Sequence, residues 1–532
     1  MTAGQDASSI LPHGDSKGTF LGHPKGLFVL FFAEMWERFS YYGMRALLVL
    51  YLTKQFLFDD RDANLVYGAY TSLVYITPVI GGYLADKYLG QRKAVLFGGI
   101  MIAIGHILLG FEGDAAASPE LISFFYAALS FIIVGTGFLK ANISVIVGQL
   151  YPRDDIRRDP AYTIFYMGIN LGSFLGVIIC GYLGETVGWA YGFGAAAVGM
   201  ILGIVVFVMF KPLLLGRGES TVPARLAAKT MGLSLEWWIY IGSILSVFVF
   251  FVLVQSAAVV GWMLLATGGI VLAYILYQAT LKLSRVDGHR LYVALFLIAL
   301  QPLFWALFEQ AGSSLNLYTD RYVDRSLFGF EVPASVFQSV NSFFIITLAP
   351  ILAFVWTWLG RRGWEPSTPA KFGYALMLAG VGYLFFNLGA AGSGVNGVLT
   401  PVFFVFAIYF FHTVAELFLS PVGLSAMSRL SLPHMLSLMM GTWFLSTAGG
   451  NFIAGLIAAS TGEAGGAASA AAVVEVYDRI GWIGIGVGVA VLLVSPFIKR
   501  LMHLDTLKEE ELAGRGELAE PAAPGIHPAQ KG

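Results

Sequence analysis

Fourteen stretches of mainly apolar residues start near Leu27, Leu65, Ala94, Leu121, Ala161, Ala190, Trp237, Ala257, Leu291, Ala334, Phe372, Leu399, Met435 and Ile480. About 20 such residues cross the hydrocarbon core of a bilayer as a helix. No water reaches backbone N–H and C=O groups there, so each run must satisfy its own, which a helix does and an open sheet edge cannot. The chain reads as an all-α polytopic membrane protein with 14 transmembrane helices. Composition agrees: 57% of the 532 residues are hydrophobic and 12% charged, where a soluble domain keeps roughly a quarter charged. A net charge of −1 gives no reason to expect nucleic acid as a partner.

An even number of spans puts both termini on one side, and the distribution of Lys and Arg says which. With the termini in the cytoplasm, 24 of the 32 fall in cytoplasmic segments, among them Arg157, Arg158, Arg361, Arg362, Lys499 and Arg500. Five fall outside (Lys54, Arg61, Arg321, Arg325, Arg479) and three within spans (Arg38, Arg45, Lys140). Basic loops stay in the cytoplasm, so the orientation follows. The first apolar run is too long and too charged for a cleavable signal, and the N-terminus is expected to be retained.

The loop YLADKYLGQRK after the second span resembles VWTWLGRRGW after the tenth. The two are equivalent if spans seven and eight are inserted between two sets of six, a plan that places a binding site between the halves near the membrane midplane. The expected division is a cytoplasmic segment 1–25, a six-helix bundle 26–212, a linker with two peripheral inserted helices 213–289, a second six-helix bundle 290–505 and a disordered cytoplasmic tail 506–532. The Gly/Ala-rich run 461–472 is expected to be a flexible external loop.

The first span carries Glu34, Glu37, Arg38, Tyr41, Tyr42 and Arg45. Offsets of 0, 3, 4, 7, 8 and 11 put them on one stripe of a helix. A charge at a helix centre costs about 2.5 to 3.5 kcal/mol on insertion scales, so the stripe must face a cavity or partners rather than lipid. Lys140, Glu309 and Glu416, in other spans, are the candidate partners. A single intramembrane pair serves well enough to fix helix register, but seven ionisable groups in both halves exceed that role. Four carboxylates against three cations leave one excess negative charge, which one bound proton would neutralise, as proton coupling requires. Tyr75, Tyr166, Asn170, Trp305, Asn341 and Trp443 add aromatic and amide groups, each of which also suits helix packing. Cations from one half and carboxylates from the other suit a zwitterion such as a short peptide or an amino acid.

Several chemistries find no support. The single cysteine, Cys180, excludes an intrachain disulfide or a cysteine metal cluster. His106 and His412 lack ligand spacing, so they read as core histidines and no metal or other cofactor is expected. No Gly-rich phosphate loop ending in Lys-Ser or Lys-Thr occurs, so energy must come from a gradient. A membrane enzyme would need a nucleophile with its base, and none is evident. A passive channel would favour rings of like charge, and this cluster is mixed.

EMWERFSYYGMRALL resembles the ExxER helix of the proton-dependent oligopeptide transporter family, a branch of the major facilitator superfamily. GGYLADKYLGQRKAVLFGG is similar to that family's loop 2 to 3 motif, and FYMGINLGS to its FYxxINxG motif. The similarity runs from about residue 22 to 500. It implies a major facilitator fold of two six-helix bundles plus two extra helices. It assigns Glu34, Glu37, Arg38, Lys140 and Glu309 to proton coupling. Arg45 would contact the peptide carboxylate and pair with Glu309, while Glu416 would receive the peptide ammonium. Tyr41, Tyr75, Lys140, Tyr166, Asn170, Trp305, Asn341 and Trp443 match pocket positions, and Asp86 and Arg92 a gating motif. Ala141 departs from the family, which often has proline after the helix-4 lysine.

The expectation is a proton-coupled symporter that imports di- and tripeptides by alternating access, multi-pass in a cell membrane, with protons as coupling ion and lipid around it. A carrier of the same fold for nitrate, an amino acid or a drug is the alternative. Relatives that carry other solutes commonly lack an intact ExxER or the amino-binding glutamate, and both are present here.

Overall fold

The computed structural model describes residues 18–111, 118–152, 155–395, 397–432, 434–462 and 466–504. The expected tail 506–532 and most of the segment 1–25 lie outside these residues.

Among the described residues, fourteen long helices follow one another: α1 Lys25–Lys54, α2 Asp60–Leu84, α3 Gln91–Gly110, α4 Pro119–Gln149, α5 Arg158–Thr186, α6 Trp189–Met209, α7 Leu235–Val254, α8 Ala257–Leu281, α9 Arg285–Phe308, α10 Ser339–Arg361, α11 Thr368–Ala390, α12 Val402–Leu430, α13 Leu436–Ala459 and α14 Ala470–Leu501. Among the described residues, thirteen helical stretches are apolar and long enough to cross a membrane by length and composition alone. The helix outside that count is α1, whose 30 residues suffice in length but which carries Glu34, Glu37, Arg38 and Arg45 in its centre.

Local chemistry sets the ends. Ser118, Ser284, Ser367 and Ser469 cap α4, α9, α11 and α14, each side chain accepting an N–H of the first turn. The cap at Ser284 starts α9 at Arg285. Residues 463–465 of the run 461–472 lie outside the described residues; beyond them the Ala468 N–H donates to Asp60 at 2.6 Å and α14 starts at Ala470. The apolar inserted pair has no such caps; α7 lies against α4, and α8 against α9 and α13. Both stay at the periphery, about one sixth of each apolar window being buried.

The two sets of six repeat the same packing. In the first, α1 lies on α5, α3 on α4 and α6, and α2 on α4; in the second, α9 lies on α13, α11 on α12 and α14, and α10 on α12. Contacts between the bundles repeat as well, α2 with α13 and α5 with α10. This is the six plus two plus six major facilitator architecture.

The bundles are joined at the face where α1 ends and α2 begins. Lys54 Nζ meets Asp320 at 2.7 Å. Arg321 donates to both oxygens of Asp60 at 2.6 and 2.8 Å. Asn64 on α2 donates to the Ala458 carbonyl on α13 at 3.3 Å. Close approach there depends on glycine: a Cβ at Gly68 would stand 2.8 Å from the Gly455 Cα. Among the described residues no ion pair joins the bundles at the opposite face.

Candidate functional site

The stripe on α1 faces the seam between the bundles, while its other side packs Met35 and Phe39 on α5 through Gly172 and Gly176. Glu34, Glu37, Arg38, Tyr41 and Arg45 are all buried, with Glu37 at 0% exposure. Arg38 Nε stands 2.9 Å from Glu34 Oε1 and 2.6 Å from Glu37 Oε2, so one guanidinium serves two carboxylates. Lys140, half-buried on α4, lies within electrostatic reach of Arg38, Glu37, Glu34 and Arg45. Its ammonium sits 3.6 Å from the centre of the Tyr75 ring of α2, a cation–π contact. α4 is unbroken through Ala141, as the absence of proline there predicts.

Arg45 reaches across the seam. Its Nη1 is 3.1 Å from Glu309 Oε2, with both side chains under one tenth exposed. Glu309 stands at a break in the helix: α9 ends at Phe308, a 3-10 turn covers Glu309–Gly312, and a short helix resumes over Ser314–Tyr322. Gly312 is needed at that turn because the Tyr67 hydroxyl of α2 fills the space a side chain would take. Interrupted helices leave backbone and side chains turned toward a cavity, a common construction at transporter binding sites.

Glu416, half-buried on α12, accepts a hydrogen bond from Asn341 Nδ2 of α10 at 3.1 Å, and the same amide donates to Thr413 Oγ1 at 3.0 Å. It lies within electrostatic reach of Glu309 and Arg45. Tyr166, on α5 of the other bundle, faces Glu416 and Tyr42 and is 44% exposed, as fits a side chain on an open cavity. Asn170, one turn on, is buried and donates to the Tyr166 carbonyl at 3.0 Å. The seven ionisable groups named from sequence thus share one neighbourhood at the seam.

Two tryptophans are placed differently. Trp305 of α9 is half-buried in an aromatic cluster with Phe304 and Phe308, and its indole N–H has no partner among the described residues. Trp443 is buried in the second bundle's core against Gly423 and Phe372. Asp86 and Arg92 do not pair with each other. Asp86 accepts from Gln91 Nε2 at 2.7 Å, whereas Arg92 pairs with Glu219 in the segment after α6.

Sequence reasoning missed Tyr67, Tyr70 and Tyr409, all buried and within electrostatic reach of Arg45. Tyr67 and Tyr70 lie on one face of α2, a helical spacing that could have drawn notice. Several buried atoms of the site have no hydrogen-bond partner among the described residues: Glu34 Oε2, Arg38 Nη2, Arg45 Nε and the Tyr41 hydroxyl. These suit a polar ligand or a proton relay. A separate apolar crevice of about 370 Å³ lies on the opposite side of α1, lined by Trp36, Leu175, Val198 and neighbours, and holds none of the charged groups.

Known proteins resemble this chain over most of its length. A model of the POT family matches residues 92–474. The uncharacterized transporter YclF of Bacillus subtilis is 39% identical over 514 residues, covering 93% of this chain and 98% of that protein. Dipeptide and tripeptide permease B of Xenorhabdus bovienii is 32% identical, covering 90% and 96%. A solved mutant of peptide transporter POT in complex with alafosfalin superposes with a TM-score of 0.79 at 34% identity, covering 91% of this chain and 97% of that one. These relatives are transporters and not enzymes, and with both bundles and the connecting segment matched, this multi-pass membrane protein belongs to the POT family.

Proposed function

We propose that the protein imports di- and tripeptides together with protons by alternating access. The observation that carries this reading is the Arg45–Glu309 contact with Glu416 nearby, fixed charges of both signs brought together across the seam between the bundles. A peptide's carboxylate would take Arg45 and its ammonium Glu416, with Tyr41, Tyr75, Tyr166, Asn170, Trp305 and Asn341 assigned to the surrounding pocket, whereas Trp443 packs in the core of the second bundle. The name of the Xenorhabdus bovienii relative and the alafosfalin complex support this substrate class.

Protons are the coupling ion in this reading. The cluster of Glu34, Glu37, Arg38, Lys140 and Glu309 has fewer cations than the carboxylates it serves, once Glu416 and Arg45 are included. One proton balances it, and exchanging partners during a conformational change loads or releases that proton. The electrical part of the gradient supplies about 2.3 kcal/mol per charge per 100 mV. Asp86 and Arg92 act in gating, Arg92 through its pair with Glu219 in the segment after α6 and Asp86 through Gln91.

The surplus of Lys and Arg places both termini in the cytoplasm of a cell in whose membrane the protein sits. The joined face, bearing Lys54 and Asp60, is then external, and the described conformation faces inward. Rocking of one bundle against the other exposes the cavity alternately.

Uptake of dialanine into proteoliposomes with an imposed pH difference tests the function. Saturable accumulation that collapses when the pH difference is removed is expected. Uptake that ignores the gradient, or that nitrate, single amino acids or drugs compete away while dialanine does not, would overturn it.

A further inference from the structure

Glu185 stands one residue before the end of α5, in the first bundle, yet its hydrogen bonds go to the second. Its Oε1 accepts from the Ser335 N–H at 2.8 Å and from Ser335 Oγ at 2.5 Å, and its Oε2 from the Ala334 N–H at 3.3 Å. The carboxylate is 7% exposed. Ala334 and Ser335 open the 3-10 turn Ala334–Gln338 from which α10 continues.

The first N–H groups of a helix have no partner within it, and a side chain at the preceding position ordinarily supplies one. Here that position is Pro333, which has no acceptor in its side chain and makes no capping bond. Glu185 takes its place from across the seam. A carboxylate at a helix N-terminus also meets the positive end of the peptide dipoles. The approach is close because Gly181 lies one turn earlier on α5: a Cβ there would stand 2.6 Å from Ser335 Oγ. Lys54 of α1 faces the carboxylate at 4.0 Å and is held at 2.7 Å by Asp320.

We propose that Glu185 is a positioning residue of the joined face, an acceptor lent by one bundle to cap a helix of the other. When the bundles part there, the cap and its three donors separate. Glu185 therefore sets how much of the protein is open at that face, at a distance from the peptide site and without touching the ligand. The proposal rests on the alternating-access reading for its role in transport, but not for its geometry.

Spin labels at Leu57→Cys and Phe330→Cys, both exposed at the joined face and one in each bundle, read the separation directly. Cys180 is fully buried and stays unlabelled. Glu185→Ala is expected to raise the population with the longer distance about tenfold, the ratio set by one charge-assisted hydrogen bond. Glu185→Gln, which keeps an acceptor oxygen, should raise it about threefold and carries the test if the alanine variant does not fold. Glu331→Ala is the control, because Glu331 pairs with Arg325 inside the second bundle. Unchanged distances in Glu185→Ala, in Glu185→Gln where only that variant folds, or an equal shift in Glu331→Ala, would overturn the proposal. Distances that shift in a protein that does not carry dialanine would instead leave the cap standing and remove the proposed substrate.

Discussion

Arg45 and Glu309 meet at 3.1 Å, a cation from the first helix of one bundle and a carboxylate from the turn that ends the first helix of the other. Both are buried, so the pair contributes less to net stability than to a choice between states, since removing either partner leaves an uncompensated charge. In the proposed cycle a peptide carboxylate competes for Arg45, and the contact that holds the halves together becomes the contact that senses the ligand.

Glu37 shares Arg38 with Glu34 and is fully buried. Glu37→Gln is expected to abolish accumulation driven by a pH difference, a loss of tenfold or more, while keeping part of the exchange between preloaded and external peptide. Paired uptake and counterflow assays check this. Normal acid-driven accumulation by the variant would remove Glu37 from the coupling network.

Glu416 is held by Asn341 in the charged cluster at the seam, whereas Asp86 bonds Gln91 in the connection between α2 and α3. Glu416→Gln should weaken binding of peptides with a free amino terminus by about ten- to a hundredfold, the value of one or two charge-assisted hydrogen bonds. Asp86→Asn should change affinity little and slow turnover instead. Titration of both variants with dialanine and N-acetyl-dialanine separates the roles, and equal affinity losses would contradict the pocket assignment.

Hydropathy made the spans legible because a bilayer leaves helices few alternatives, and the spacing from Glu34 to Arg45 made α1 legible despite its charges. The break at Glu309 was not, since Gly312 forms a turn there in response to Tyr67, which comes from the other bundle. Arg92 shows the same limit: its partner Glu219 is remote in sequence, and no local pattern announces it. The cap at Ser335 was likewise invisible, because Pro333 marks only an absence and Glu185 supplies the answer from another helix. Within one helix, spacing reports which residues share a face; what that face meets is decided by packing.

Asp60 is 1% exposed and takes three hydrogen bonds, two from Arg321 and one from the Ala468 N–H. Arg321→Ala strands this carboxylate in the joined face, where breaking a buried pair costs about 3 kcal/mol. The expected result is a lower melting temperature together with easier labelling of cysteines placed at the seam near Asn64. Asp60→Asn with Arg321→Ala should recover much of the loss, because no buried charge is left alone. Thermal melts of the single and double variants measure the difference, and a double variant no better than Arg321→Ala would count against the pair.

His23 ties the start of α1 to the connection between α4 and α5. It belongs to a small hairpin, Thr19–Phe20 against His23–Pro24, turned through Leu21 and Gly22 at positive φ. Its Nδ1 shares a 2.8 Å hydrogen bond with the Tyr151 hydroxyl, and Arg157 donates to the Gly22 carbonyl at 3.0 Å. Burial, and after it the Arg157 charge, hold the imidazole below the usual value of 6.5, with Asp155 opposing. The folded hairpin therefore binds a proton less readily than the free chain. Its stability is complete above about pH 6.5 and falls as pH drops through the lowered folded value. The hydrogen-exchange protection factors of the backbone amides of residues 18–23 should fall on acidification, and His23→Gln should flatten that pH dependence. Protection that grows as pH falls would reverse the assigned sign and with it the account of the neutral, Tyr151-bound imidazole.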